Sequence, residues 1–193
     1  MMEYGILVLG WLIFCALHTV LAAEKSKQFF APILGSHFKY YRLLYSVVAV
    51  ITLSAVLIWQ FSIPGLYLTV LPFFRYFISI PFMILALVLM GICIRKYFYK
   101  LSGVEVLFQP AGAPVLETGG VHRFVRHPLY AGTLLLIWSI LLWFPSLANL
   151  IACVMITVYV RVGISIEERK LMLQFGSQYE EYKKMTPMLF PSL

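Results

Sequence analysis

The sequence predicts an all-α fold: a polytopic membrane bundle of about five transmembrane helices, closed by a C-terminal amphipathic helix. Three observations predict it. Hydrophobic residues make up 62% of the 193-residue chain and charged residues only 12%, about half the charged share of a soluble domain. The apolar residues come in runs that approach or exceed about 18 residues, the length that suits a bilayer core. The basic residues fall almost entirely in alternate connections between those runs. A soluble bundle of this size lacks the polar material to cover its own surface.

Residues 4–22, YGILVLGWLIFCALHTVLA, are the first expected span. A secretory leader opens on basic residues, and this chain opens on MME, so the helix is expected to be retained. Residues 43–61 are the second, ended by SIPG. The stretch 66–94 is broken by Pro72, Arg75 and Pro81; one helix over 74–94 fits, with 66–72 at the interface or re-entrant. Residues 95–128 read as a long polar loop, irregular around PAGAP. Residues 129–144 and 146–164 are short apolar runs joined at Pro145, expected to form a helical hairpin. Residues 165–185, SIEERKLMLQFGSQYEEYKKM, read as an interfacial or cytosolic amphipathic helix interrupted near Gly176. Cys15, Cys93 and Cys153 sit in separate apolar runs without metal-type spacing, as small core residues do. The whole chain, 1–193, is read as a single integral-membrane domain.

Charge placement gives the topology. The 23–42 connection carries Lys25, Lys27, Lys39 and Arg42. The 95–128 connection carries Arg95, Lys96, Lys100, Arg123 and Arg126, and the tail carries Arg161, Arg169, Lys170, Lys183 and Lys184. Of the 15 basic residues, only Arg75 falls on the other side. By the positive-inside rule this puts the N-terminus outside and the C-terminus in the cytosol, as in a bacterial inner membrane. The net charge of +7 then belongs to the cytosolic rim and its anionic lipid heads. No basic groove interleaved with aromatics appears, so nucleic acid is not an expected partner.

The chemistry gathers at GGVHRFVRHPLYAG, residues 119–132, where a polar loop meets an apolar helix. His127-Pro128 suits a helix start, because proline has no N–H to leave unpaired there. The free amides of that first turn favour an anionic group such as a carboxylate. Tyr130 lies three residues on and shares a side of the turn with His127; Arg126 sits just outside. Glu167 and Glu168 follow a span directly, and a carboxylate pair there suits cationic or hydroxyl groups of a ligand. His18 lies inside the first span near its cytosolic end, where an ionisable residue tends to face a cavity or the interface. Anchoring at the membrane surface is the plain alternative for the Arg-His-Tyr group, and solvated charge at a helix start for the Glu pair.

Taken in order, GGVHRFVRHPLYAG, an apolar hairpin, and EERKLMLQFGSQYEEYKKMTPMLFP resemble the isoprenylcysteine carboxyl methyltransferase family, with its phospholipid methyltransferase, methanethiol S-methyltransferase and NnrU-like relatives. The resemblance covers residues 116–191. WLIFCALHTVLAAEKSK and YYRLLY lean toward the last two branches. The resemblance implies S-adenosyl-L-methionine as methyl donor, held at the cytosolic face. It implies that His127 and Tyr130 line the cofactor pocket near Glu117, Thr118, Gly119 and Gly120. It implies further that Glu167 and Glu168 bind the donor's amino or ribose groups, and that Arg126 lies close to the reacting centre. His127 and His18 are the groups able to handle a thiol's proton near neutral pH. The acceptor is expected to be a small molecule or lipid-linked: a small thiol, an isoprenylcysteine carboxylate or a lipid. Two other readings stand beside this one: a non-catalytic NnrU-like accessory protein, and a sterol-type reductase, whose tryptophan-rich stretch ETGGVHRFV lacks.

Overall fold

Each apolar run becomes a helix in the computed structural model, which describes residues 1–102, 104 and 115–191. The PAGAP stretch, expected to be irregular, lies outside the described residues. Helix α1 is Met2–Ala22 and α3 is Tyr41–Ser62, close to their expected limits. Helix α4 is Ser79–Ser102, led in by a π-helical turn at Phe74–Ile78. Helices α5, Pro128–Trp143, and α6, Leu147–Phe175, form the expected hairpin around Pro145, and α7 is Ser177–Met185.

Three boundaries differ from the sequence reading, for one physical reason. Residues 23–42, read as a loop, contain helix α2 at Glu24–Leu34 and a 3-10 turn at Gly35–Tyr40. Helix α4 continues eight residues past Ile94, and α6 continues through Phe175 into the segment assigned to the amphipathic helix. Lys, Arg, Glu, Gln and Met are good helix formers. The onset of charge therefore marks where a helix leaves hydrocarbon, not where its hydrogen-bond ladder ends. The break is at Gly176, whose φ of 52° suits a residue without a Cβ. Among the described residues, four helical stretches are long and apolar enough to cross a membrane: Met2–Ala22, Glu24–Ser62, Phe74–Tyr97 and Leu147–Phe175. Helix α5 is shorter, at 16 residues, or about 24 Å. The 29 residues of α6 reach about 43 Å, beyond the roughly 30 Å hydrocarbon core. Its charged last turns, from Ser165, thus extend outside the spanning part.

The contacts gather into two compact units, Met1–Leu66 with Tyr97–Gly112, and Tyr67–Lys96 with Ala113–Leu193. In the first, α1 and α3 pair along their length. Tyr41 Oη donates to the Leu21 carbonyl at 2.8 Å near one end, and Trp59 Nε1 to the Glu3 carbonyl at 3.4 Å near the other. Between them the buried Trp11 donates to the buried Gln60 Oε1 at 3.2 Å. These bonds match polar groups that the apolar pair would otherwise leave unsatisfied.

In the second unit α4, α5 and α6 pack together. Gly132 lets α5 approach α4: a Cβ there would lie 2.7 Å from Met90 Cγ and 3.4 Å from the Ala86 carbonyl. Leu134 of α5 packs with Val160 and Ile164 of α6, joined by Tyr130, Met188 and Leu189. At the far end of the hairpin Ser146 caps α6 by accepting from the Asn149 amide, and Asn149 donates to the Phe144 carbonyl at 2.7 Å. The 67–72 segment closes that end. Tyr67 bridges to Ser146, and the Leu68 amide donates to the Pro145 carbonyl at 2.6 Å.

Candidate functional site

Pro128 opens α5, with His127 as its N-cap. The chain reaches this point through a 3-10 turn, Gly120–Arg123, and is laid against the C-terminal segment by two backbone bonds. The Arg126 amide donates to the Pro187 carbonyl at 2.8 Å, and the His127 amide to the Met188 carbonyl at 3.1 Å. Tyr182 Oη adds a bond to the His122 carbonyl at 2.6 Å. The loop before α5 and the strap after α7 therefore form one structure, about 60 residues apart in sequence.

Arg126 is buried in it. Its Nε and Nη2 both donate to Glu168 Oε1, at 2.9 and 2.6 Å, and Nη1 donates to the carbonyls of Thr186 and Lys183. Lys183 Nζ reaches the other carboxylate oxygen at 3.0 Å, and His127 Nε2 lies 3.3 Å from Oε1. Burial by itself favours the neutral acid. The hydrogen bonds from Arg126, Lys183 and His127 and the Arg126 charge outweigh it and hold the Glu168 carboxyl at about 2. Tyr179 stands beside the pair, fully buried; burial and the Glu168 charge push its phenol up to about 12.

Glu167 faces elsewhere. Successive helical residues are rotated by about 100°, so adjacent carboxylates diverge. The Glu167 side chain is 45% exposed against 10% for Glu168. It accepts a hydrogen bond from Tyr130, and its Oε2 lies 3.8 Å from His127 Nδ1. The His127 and Tyr130 rings tilt together, 5.8 Å between centroids. The sequence reading gave Glu167 and Glu168 one shared ligand and set Arg126 by the reacting centre. In the folded chain Arg126 and Glu168 engage each other, and Glu167 with Tyr130 forms the more open part.

The 117–120 stretch is exposed, with open space where Gly119 and Gly120 lack a Cβ. Glu117 pairs with Lys96 at 2.7 Å, and Thr118 is exposed beside it. His122, which the sequence reading did not single out, is close enough to this pair and to His127 to feel their charges. Burial first, then the Lys96 ammonium, lowers its pKa. His18 belongs to the other unit, partly buried on α1 with its ring stacked on Phe14 at 6.0 Å. Lys183, Thr186 and Tyr179 also escaped the sequence reading. Tyr179 and Tyr182, three residues apart and both buried, were its nearest signal.

Residues 82–178, half of the chain, match the family model described as phospholipid methyltransferase. The chain belongs to this family. The match spans α5, α6 and all of Arg126, His127, Tyr130, Glu167 and Glu168, so the family segment is the one that builds the site. Individual proteins similar to this chain carry methyltransferase names. The chain is 33% identical over 102 residues to methanethiol S-methyltransferase 2 of Bradyrhizobium diazoefficiens, covering 52% of this chain and 36% of that protein. It is 26% identical over 193 residues to methanethiol S-methyltransferase 1 of the same organism, covering 93% of this chain and 64% of that one. It is 31% identical over 80 residues to protein-S-isoprenylcysteine O-methyltransferase of Schizosaccharomyces pombe, covering 40% and 33%. The chain thus spans less than two thirds of the length of each of these relatives. No solved structure matches.

Proposed function

We propose that the protein is an S-adenosyl-L-methionine-dependent methyltransferase working at the cytosolic face of a bacterial inner membrane. The observation that carries this is the pairing of family and geometry. The family match covers α5 and α6, and where they meet the loop, a half-exposed carboxylate, a phenol and an imidazole come together.

The donor set fits such a cofactor. Glu167 offers a carboxylate to an ammonium or to ribose hydroxyls, with Tyr130 holding it in place. The exposed amides at 118–120, over open space, suit a carboxylate. When bound, S-adenosyl-L-methionine supplies a sulfonium methyl that is already an activated electrophile. The chain's own work is then to align the acceptor with it and to exclude water. His127 is fixed for this by Glu168 through Nε2 and approached by Glu167 at Nδ1. Arg126 and Glu168 hold the loop, α6 and the strap together, and Met188 and Leu189 pack with Tyr130 against the Leu134–Val160–Ile164 cluster. For a thiol acceptor, His127 takes the proton; a carboxylate acceptor releases none.

The relatives' names point to a small thiol or an isoprenylcysteine as acceptor, and a lipid-like acceptor is the third member of the set. Below Tyr130, Leu134 and Val160 continue into an apolar cavity of about 450 Å³ that also involves Trp138, Leu189 and Phe190. Calorimetric titration of S-adenosyl-L-methionine into the purified protein in detergent tests the reading. We expect saturable binding tighter than about 1 mM, or roughly 4 kcal/mol. Methyl transfer should follow to one member of a panel of small thiols and prenylated cysteine analogues. Absence of binding at millimolar cofactor would overturn the assignment.

A further inference from the structure

We propose that Arg75 and the aromatic residues around it bind the headgroup phosphodiester of an anionic glycerophospholipid, in the leaflet at the opposite end of α4 from the Lys96–Glu117 pair. Arg75 and Lys96 lie 21 residues apart on one helical run, Phe74–Tyr97, or about 31 Å. That is the thickness of a hydrocarbon core. With Lys96 at one boundary, Arg75 stands at the other.

Among the described residues of its own unit, none supplies an anion there. The carboxylates of this unit are Glu117, Glu167, Glu168, Glu180 and Glu181. Glu117 is bound to Lys96, Glu167 and Glu168 lie beside His127 at the start of α5, and Glu180 and Glu181 lie on α7 beyond. Arg75 is at the reverse end of the hairpin. Its neighbour Tyr76 meets Trp143, the last residue of α5, edge-on at 5.5 Å. Arg75 is half-buried, and its Nε–H is buried without an acceptor among the described residues.

A guanidinium left at the hydrocarbon edge without a counter-charge is costly. Its flat fork of donors matches phosphate oxygens in pairs. One face is already shielded by the Tyr76 ring, 5.8 Å from the guanidinium carbon. Exposed Phe73, Phe74 and Phe77 flank it in sequence, and such aromatics sit at headgroup level. A π-helical turn begins at the residue before Arg75, a geometry that often marks functional positions. Exposed apolar rings beside an unpaired cation suit a lipid, whose acyl chains would lie along the rings while its phosphate meets the cation.

Native mass spectrometry of the intact protein in detergent, titrated with phosphatidylglycerol, tests this. The wild type should hold one phosphatidylglycerol more tightly than further ones, and inorganic phosphate should not displace it. Arg75→Gln should weaken that first-bound lipid about tenfold, as expected for losing one charge-assisted hydrogen bond. Arg123→Gln, at an exposed cation on the other face, should leave it unchanged. Equal retention by Arg75→Gln and wild type overturns the proposal, and displacement by inorganic phosphate overturns the lipid as its ligand. Should circular dichroism show Arg75→Gln unfolded, Arg75→Lys decides. It keeps the charge but not the fork, so weakened retention supports the site and unchanged retention overturns it.

Discussion

At Glu167 and Glu168 one peptide bond separates two different roles. Removing one partner of a buried pair leaves an uncompensated charge, so Glu168→Gln should lower stability by about 3 kcal/mol. Glu167→Gln should change stability little and weaken S-adenosyl-L-methionine binding about tenfold or more. Melting temperatures and calorimetric affinities on the same samples separate the two. Arg126→Lys should behave like Glu168→Gln in stability, because an ammonium cannot reproduce the fork that meets Oε1 and the strap carbonyls together. The Glu168 pair also sets a pH dependence. Its carboxyl falls from an ordinary 4.5 to about 2, so its contribution is complete above about pH 4.5 and is lost as pH falls toward 2. The loss should approach about 3 kcal/mol. Melts between pH 6 and pH 3 in detergent should show a decline in wild type that is smaller in Glu168→Gln; equal declines would remove Glu168 as its source.

At the level of helices, the packing of α5 on α4 turns on one missing methyl group. Gly132→Ala would set a Cβ against Met90 Cγ and the Ala86 carbonyl. Crowding of this kind costs about 1–3 kcal/mol. Met90→Ala in the same chain should recover much of it, since it removes the nearer atom. A double-mutant cycle on thermal stability measures that coupling, and purely additive effects would show that the two helices do not meet there. The α6–α7 corner is a second such point. At Gly176, φ 52° and ψ −126° lie outside the regions an L residue favours. Gly176→Ala should cost about 1–3 kcal/mol and loosen the strap that α7 feeds into Arg126.

For the whole molecule, the basic residues predict orientation. With 14 of 15 on one side by the sequence reading, the C-terminus should lie in the cytosol and the 61–73 segment across the membrane. Reporter fusions at Leu193 and within 61–73 check both, and a periplasmic signal from Leu193 would reverse the assignment. The same orientation puts His127 and Glu167 on the cytosolic side, where S-adenosyl-L-methionine would have to reach them.

The sequence by itself determined the helices and their order. A bilayer imposes a length on every span and forces backbone groups to pair within it, so apolar runs translate almost directly into helices. It also carried the family motif and offered the residues of the candidate site, because Arg126, His127 and Tyr130 lie within one short segment and the Glu pair follows a span. Helix ends were less legible at α2, α4 and α6, where good helix formers carry the ladder past the change in polarity. Only the tertiary structure decided which groups meet. That Arg126 binds Glu168, 42 residues away, or that Lys183 and Thr186 complete the clamp, depends on how α6, α7 and the strap fold back. No local pattern encodes that return. It arises because a buried guanidinium must find a counter-charge and acceptors wherever the packed helices bring them.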